Sequence, residues 1–314
     1  MAYEDFLIVA GSYERILYGL KAIWKNEKET KKVTRLSNCQ IEIVPLFIFP
    51  SHSGCIKSLA VGHRFLASGA TDEIIKLYDL KKFRELGQLS QQDGTITSLQ
   101  FHGSSHLVSA SEDGTLCIFR SKDWELLKVL KGHKERVNSV AIHPSGKLAL
   151  STGKDKTLRM WDLISGHQAH KSRLQIEADK LLWNQSGTQY AILFPNSFSL
   201  FAQNGQNISS FPCSTRILCA AFIDDAWAIF SGEDKIFHFI NLKTLQQVDV
   251  ESKHSFRVRD LSVHSNCLVS CSSDGIIKCW EIVSTDENIE IELVAEHNFD
   301  VRLTCLVTTC LAGN

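Results

Sequence analysis

Three sets of serine, histidine and aspartate recur with nearly the same spacing along this sequence of 314 residues. Such a set can make serine a nucleophile, because histidine takes the hydroxyl proton and the carboxylate orients the imidazole. An active site occurs once in a domain, whereas a structural device recurs with its element. We therefore predict no catalysis by these sets, which are His52, Ser68 and Asp72; His133, Ser151 and Asp155; and His254, Ser270 and Asp274.

The ten cysteines raise the question of a metal site. Cys267, Cys271 and Cys279 lie close together, but no closely spaced pair is followed by a matching second pair, as a zinc knuckle requires. Cys271 and Cys279 fall inside strand patterns, where cysteine behaves as a small apolar residue. We predict no metal and no cofactor.

Composition and charge restrict the class of protein. The formal net charge of −1 gives no reason to expect binding to nucleic acid or to an acidic membrane. No apolar run is long enough for a transmembrane helix, and the short run Phe6–Ala10 follows acidic residues rather than the basic start of a signal peptide. We therefore expect a protein of a reducing compartment, with no membrane partner.

Strand and turn signals identify the elements that hold the three sets. Within residues 133–162, apolar residues alternate along Val137–Ile142, Leu148–Thr152 and Thr157–Trp161, with Gly, Pro and Asp turns between them. An acidic turn residue then recurs roughly every forty residues. Its positions are Asp72, Asp113, Asp155, Asp234 and Asp274.

These repeats resemble the WD40 family, in which four strands build each blade of a propeller. In that family a loop histidine bonds the turn aspartate and a strand serine, and the serine bonds a tryptophan. The resemblance therefore assigns Trp161 and Trp280 to two of the sets, while Tyr78 takes the tryptophan position in the set of His52. Gln92 stands where a further blade would carry its histidine.

The two ends of the chain complete the count of blades. Six blades are centred on the aspartate turns and on Asn196. Leu7–Ser12 and Arg15–Leu20 resemble second and third strands, and Arg302–Thr308 resembles the missing first strand. We predict an all-β, seven-bladed WD40 β-propeller as a single domain over 1–314, with its C-terminal strand paired to the N-terminal strands to close the ring.

Two segments depart from the repeat. Lys21–Cys39 is predicted as a basic, solvated insertion in the first blade. The fifth blade, predicted over Ile176–Ala202, has lost its aspartate and its tryptophan, so we expect an incomplete hydrogen-bond set there.

Several segments together resemble the family of Pak-interacting WD40 proteins, Pak being a Rac-activated kinase, whose fungal relatives are large-ribosomal-subunit assembly factors. They are GSYERILYGL at 11–20, DGTITSLQFHGSSHLVSASEDG at 93–114, HPSGKLALSTGKDKTLRMW at 143–161, SSDGIIKCWEI at 272–282 and RLTCL at 302–306. The resemblance implies a non-catalytic scaffold. Its implied partners are the regulatory region of the kinase, whose activation it would restrain, and pre-ribosomal factors of the large subunit.

The resemblance also implies a nuclear or nucleolar location and a monomer within larger complexes. This chain stops at Asn314 without the lysine-rich tail expected of the family. Because such a tail favours contact with RNA, we expect no direct RNA binding by this form, and a cytoplasmic location is the alternative.

Partners of propellers usually dock on the face that carries the loops before first strands and the turns between second and third strands. We call this the upper face. Large or charged residues just before first strands, together with the residues preceding the acidic turn position, are therefore the predicted contacts. They are Arg136, Arg216, Phe256, Arg257 and Asp300, with Glu112, Lys154, Glu233 and Ser273 from the turns.

Two other classes of function stay open. A generic adaptor, such as the substrate receptor of a ubiquitin ligase, would show the same repeats. A propeller enzyme would need titratable groups that converge on the central channel outside the repeated sets, and the sequence contains no such distinct cluster.

Overall fold

The computed structural model describes residues 4–26 and 39–311, which form 28 β-strands in seven four-stranded antiparallel sheets. The sheets are the blades of a β-propeller, as predicted. These described residues contain no helix, and therefore none long and apolar enough to cross a membrane.

Each blade runs from an inner first strand to an outer fourth strand, and blade 1 joins the two ends of the chain. From the channel outward, blade 1 contains β28 (Leu303–Cys310), β1 (Phe6–Ser12), β2 (Ile16–Asn26) and β3 (Cys39–Pro50). Blades 2 and 3 contain β4 (Ile56–Gly62), β5 (Phe65–Ala70), β6 (Ile75–Asp79), β7 (Arg84–Leu89), β8 (Ile96–His102), β9 (His106–Ser111), β10 (Thr115–Arg120) and β11 (Leu126–Lys131). Blades 4 and 5 contain β12 (Val137–Ile142), β13 (Leu148–Gly153), β14 (Thr157–Asp162), β15 (His167–Arg173), β16 (Lys180–Trp183), β17 (Gln189–Phe194), β18 (Ser197–Ala202) and β19 (Asn207–Pro212). Blades 6 and 7 contain β20 (Ile217–Phe222), β21 (Trp227–Gly232), β22 (Ile236–Asn241), β23 (Gln247–Glu251), β24 (Val258–His264), β25 (Cys267–Ser272), β26 (Ile276–Ser284) and β27 (Ile289–Asn298).

The hydrophobic core is divided among the seven interfaces between blades. One apolar cluster fills each interface, because second and third strands are buried on both faces while outer strands such as β15 are largely exposed. The cluster between blades 7 and 1 joins Phe6 and Ile8 to Val269 and Ile277, which are all fully buried. The interface between blades 7 and 1, which joins the two ends of the chain, is therefore packed like the other six.

Pairing of the chain ends closes the ring, as predicted. β28 runs antiparallel to β1 with Val9 opposite Val307 and Phe6 opposite Cys310. This pairing leaves no open sheet edge between first and last blades, so the ring exposes only its outer strands.

A β-bulge near the upper end of the first strand occurs in six of the seven blades. Three of the bulged residues donate a hydrogen bond to a carbonyl near the start of the next blade's first strand. The pairs are Thr97 to Val137 (2.6 Å), Asn138 to Ala178 (2.9 Å) and Thr304 to Ile56 (2.7 Å). Bulges redirect side chains, and here they link neighbouring blades around the channel.

The structure corrects two predicted boundaries. Strand β2 continues through Lys21 to Asn26 and pairs with β3, so this part of the predicted insertion belongs to a long hairpin. Lys21 and Lys25 form ion pairs with Asp5 and Glu42 rather than a free basic loop. The remaining basic residues of the prediction, Lys28, Lys31, Lys32 and Arg35, lie outside the described residues.

The fifth blade begins and ends later than predicted. Its strands extend from Lys180 to Pro212, because β19 forms its outer edge. Asn196 lies in the turn between β17 and β18, as expected, and Ser199 bonds Ser210 across the strands (2.9 Å).

Candidate partner-binding site

His133 and its partners fix the upper loop of blade 4. The imidazole Nδ1 lies 3.0 Å from Asp155 Oδ1 and Nε2 lies 2.8 Å from Ser151 Oγ, which also accepts a hydrogen bond from Trp161 Nε1 (2.8 Å). Burial lowers the pKa of His133 against the opposing effect of Asp155. Burial raises the pKa of Asp155, but bonds from His133 and Thr157 outweigh it and bring the pKa to about 2. The loop is therefore held by a neutral imidazole and a charged carboxylate.

His52 has the same arrangement in blade 2. It lies 3.0 Å from Asp72 Oδ2 and 2.7 Å from Ser68 Oγ. The Tyr78 hydroxyl, at the tryptophan position, donates to Ser51 at 2.9 Å. Tyr78 therefore bonds a serine of the upper loop, whereas the tryptophans of blades 4 and 7 bond the strand serine.

Blade 7 departs from the predicted set. His254 Nε2 lies 2.8 Å from Ser270 Oγ, and Trp280 Nε1 donates to the same oxygen at 3.0 Å. However, His254 Nδ1 is buried without a hydrogen-bond partner, and Asp274 accepts instead from the Ser272 hydroxyl. Blade 4 has Gly153 at the position of Ser272, so no hydroxyl at that position competes with His133 for the carboxylate. Burial lowers the pKa of His254 to about 4.

Blade 6 keeps the turn aspartate but replaces the loop histidine by Cys213. The Cys213 thiol donates to Asp234 Oδ2 at 3.2 Å, and His238 Nε2 lies 2.8 Å from the same oxygen. These three ligand atoms lie within 4.8 Å of one another and could hold a metal ion, with Asp249 orienting His238 at 2.7 Å. The protein hydrogen bonds already satisfy each of them. Burial lowers the pKa of His238, but both carboxylates outweigh it and the pKa is raised.

Blade 3 uses an amide at the histidine position. Ser109 Oγ donates to Gln92 Oε1, while Gln92 Nε2 donates to the Thr115 carbonyl at 3.0 Å. An amide can therefore replace the imidazole as a bridge between strand serine and turn.

Backbone hydrogen bonds set the predicted contact residues side by side on the upper face. The amides of Lys154, Glu233 and Ser273 donate to the carbonyls of the residues that precede three first strands, which are Arg136, Arg216 and Arg257. Close approach requires a small residue before the turn: a Cβ at Gly232 would lie 2.1 Å from the Arg216 carbonyl. Glu112 makes the same bond to Thr95 in blade 3.

The side chains at these positions form a charged surface. Arg136 pairs with Glu177 (2.9 Å), Arg216 with Asp179 (3.1 Å) and Arg257 with Glu233 (3.6 Å). All six remain partly exposed, so each pair contributes at most about 1 kcal/mol to stability.

Four predicted residues line one shallow cavity of about 400 Å³ between blades 6 and 7, namely Glu233, Phe256, Arg257 and Ser273. Phe256 is 58% exposed there. Lys154 lies near Glu135 (3.8 Å) in blade 4, and Asp300 lies at the start of blade 1, bonded to Asn298. The predicted residues thus share a face but not a single cavity.

Residues of the central channel were missed by sequence reasoning. Its upper end is a cavity of about 440 Å³ lined by the bulged residues Lys57, Asn138 and Arg259. The signal was a charged or polar residue at the second position of the first strand in five blades, whereas blades 5 and 6 have leucine there. Arg302 was also missed, although it occupies the position of Arg136 in blade 1.

The sheets and the recurring hydrogen-bond sets define a WD40 β-propeller. A family model described as WD domain, G-beta repeat matches residues 43–79, 83–120, 124–162 and 245–281. Each match begins at or next to an outer strand and ends in the third strand of the following blade, so every repeat joins two blades.

Comparison with known proteins then identifies the family. The p21-activated protein kinase-interacting protein 1-like of Xenopus laevis is 34% identical over 308 residues, covering 96% of this chain and 82% of the relative. Protein MAK11 of Saccharomyces cerevisiae is 29% identical (98% and 83%), and Shk1 kinase-binding protein 15 of Schizosaccharomyces pombe is 27% identical (98% and 85%). The chain belongs to the family of p21-activated protein kinase-interacting WD40 proteins.

Proposed function

We propose that this chain is a non-catalytic scaffold that binds the regulatory region of a p21-activated, Rac-responsive kinase and restrains its activation. Membership of a family whose members are named for kinase binding is the observation that carries this proposal. The upper face is the proposed surface of contact.

The chemistry of the upper face supports binding of a protein segment. Arginines occupy the same position in four blades, and Phe256 is exposed beside one of them. Arginine and aromatic residues are favoured at the centres of protein interfaces. The buried His, Ser and Asp sets fix the loops before binding, so little conformational entropy is lost on association. The four arginines are Arg136, Arg216, Arg257 and Arg302.

Burial supports the non-catalytic part of the proposal. Ser151 is fully buried, and its hydroxyl oxygen is already bonded to His133 and Trp161. A nucleophile must reach a reacting carbon, and this oxygen has no path to one. A substrate therefore has no access to the set that most resembles a catalytic triad.

The family resemblance supports a second role in assembly of the large ribosomal subunit, through pre-ribosomal protein factors. We propose a nuclear and nucleolar location for that role, with a cytoplasmic location as the alternative. Fluorescence microscopy of the tagged chain beside a nucleolar marker tests the location, and exclusion from the nucleus would contradict it.

Charge reversal of Arg136 and Arg257 together tests the surface. Both side chains are half-exposed and precede equivalent first strands, so the double variant should keep a melting temperature close to that of the wild type. At an interface, the same reversal places like charges together, which costs several kcal/mol. Co-precipitation of the kinase regulatory segment and of large-subunit precursors should therefore be lost.

Reversal of Arg84 and Lys171, two exposed cations on outer strands, is the matched control and should leave co-precipitation unchanged. Retention of both partners by the double variant would move the site off the upper face. Loss of one partner alone would assign the two roles to separate surfaces. Affinity purification that returned ubiquitin-ligase subunits instead of kinase would favour the generic adaptor.

A further inference from the structure

The upper mouth of the central channel carries more positive than negative charge. Five cationic and three anionic side chains line it. The three carboxylates are paired: Asp260 with Lys180 (3.0 Å), Asp179 with Arg216 and Glu233 with Arg257. Lys57 and Arg259 remain, and neither forms an ion pair with any residue that the structure describes.

The two unpaired cations lie on one arc of the channel wall. Lys57 is the bulged residue of blade 2, and Arg259 is the bulged residue of blade 7. These two blades flank blade 1, whose bulged residue is Thr304. Arg259 Nε is buried without a hydrogen-bond partner. A buried donor that makes no bond is destabilising unless a ligand satisfies it.

Arg302 adds a third cation at the edge of this arc. Its guanidinium lies 5.2 Å from the centre of the Tyr13 ring and forms no ion pair within the described chain. Burial raises the pKa of the Cys55 thiol; around this residue, Lys57, Arg259 and Arg302 oppose that rise and Glu14 adds to it.

A groove leads from this point across the upper face. Its volume is about 810 Å³, and it lies between blades 1 and 2 with Tyr13, Pro50 and Cys55 in its walls. Tyr13 is 55% exposed. An extended peptide fits a groove with an exposed aromatic side chain, and the adjoining channel mouth of about 440 Å³ has room for one of its side chains.

We infer that the channel mouth at Lys57 and Arg259, together with Arg302 beside Tyr13, binds a phosphoryl group on an extended segment of a protein partner, with the flanking residues of that segment in the Tyr13 groove. A phosphoryl group carries about two negative charges and three acceptor oxygens at neutral pH, which matches two guanidinium groups and one ammonium group better than a single carboxylate does. The inference rests on the proposed function, since the ligand is a segment of a protein partner.

The experiment uses the full chain and a degenerate library of short fluorescent peptides with a fixed central phosphoserine. We expect the phosphoserine library to bind, and the same library with serine to bind at least roughly tenfold more weakly. Arg259→Ala and Lys57→Ala should each weaken binding by roughly tenfold, while the outer-strand control Arg84→Ala leaves it unchanged. Lys57 is exposed, so its variant stays informative if Arg259→Ala fails to fold.

Alkylation resolved by mass spectrometry locates the bound peptide. The phosphopeptide should slow alkylation of Cys55. Alkylation of Cys310, at the opposite end of the channel, should be the same with and without the peptide. Binding that does not depend on phosphate, or that survives both channel variants, would overturn the inference. Inorganic pyrophosphate that competes as well as the peptide would also overturn it, by identifying a free anion as the ligand.

Co-precipitation of the kinase segment separates this inference from the proposed function. Capture of the kinase segment without phosphopeptide binding overturns the phosphoryl site and leaves the scaffold function intact. Phosphopeptide binding without capture of the kinase segment supports the site and contradicts the proposed partner.

Discussion

At the scale of single residues, the repeated sets differ in how completely their hydrogen bonds are made. His133 bonds both its aspartate and its serine, whereas His254 bonds only its serine and leaves Nδ1 without a partner. Equivalent positions in sequence therefore have unequal energies. Their difference can be measured.

Replacing His133 by alanine should destabilise the protein more than replacing His254. His133→Ala removes the bonds to both Asp155 and Ser151, with an expected loss of about 1–3 kcal/mol, while His254→Ala removes one bond and one unsatisfied nitrogen. Urea denaturation of both variants measures the difference. Equal losses would show that the bonds to the turn aspartate contribute nothing.

The depressed pKa of His254 predicts a dependence of stability on pH. Its folded pKa of about 4 lies below the unfolded value of 6.5, so the unfolded chain binds the proton more readily. The contribution of neutral His254 to the free energy of unfolding is complete above pH 6.5. It is lost as the pH falls towards 4, with a slope of roughly 1.4 kcal/mol per pH unit for one proton. Urea denaturation across this range should show that slope.

His254→Gln should flatten the dependence, since an amide already occupies this position in blade 3 and does not titrate. Ser272→Ala gives the complementary control. It removes the hydroxyl that competes for Asp274, so the pKa of His254 measured by NMR should rise. An unchanged slope in His254→Gln would assign the pH dependence to other groups.

At the scale of strands, the alternation of apolar residues and the turn chemistry were enough to predict the first three strands of blade 4 to within one residue. Val137–Ile142 was predicted without error, because its turns contain Pro, Gly and Asp. The extension of β2 to Asn26 was missed, because its alternating charges resemble a solvated loop until β3 is seen to pair with it. Channel side chains were missed because a bulge alters the alternation that marks burial.

Removing Arg302–Asn314 tests the closing strand. The deletion takes away β28, exposes one edge of β1 and removes Leu303 and Leu306 from the last interface. We expect aggregation or a broad, non-cooperative transition in size-exclusion chromatography and thermal denaturation. Deletion of residues 312–314 alone is the control and should have no such effect. A truncated chain that stays monomeric with an unchanged melting temperature would contradict the closure.

At the scale of the whole molecule, seven similar interfaces form a closed cycle in which each blade packs on two neighbours. Opening one interface therefore weakens both adjoining blades. The family and its scaffold architecture could be inferred from sequence, since the repeat determines this cycle. The partner contacts on the upper face stay a prediction, because exposure alone does not distinguish a contact residue from a solvated one.

The cycle predicts that the ring unfolds as one unit. Tryptophan fluorescence and far-ultraviolet circular dichroism should give coincident urea transitions, although the tryptophans of the network lie in blades 4 and 7. Separate transitions would show that some blades unfold independently of the ring.

Blade 1 takes strands from both ends of the chain, and this has a consequence for biosynthesis. A nascent chain can form blades 2 to 7 in order as it leaves the ribosome, but β1–β3 lack their inner strand until β28 has been translated. The ring closes only once β28 has emerged, and the interfaces on both sides of blade 1 stay open to solvent until then. A frameshift or early stop before the codons of β28 would therefore leave an unclosed ring with exposed strand edges, which chaperones and proteases recognise.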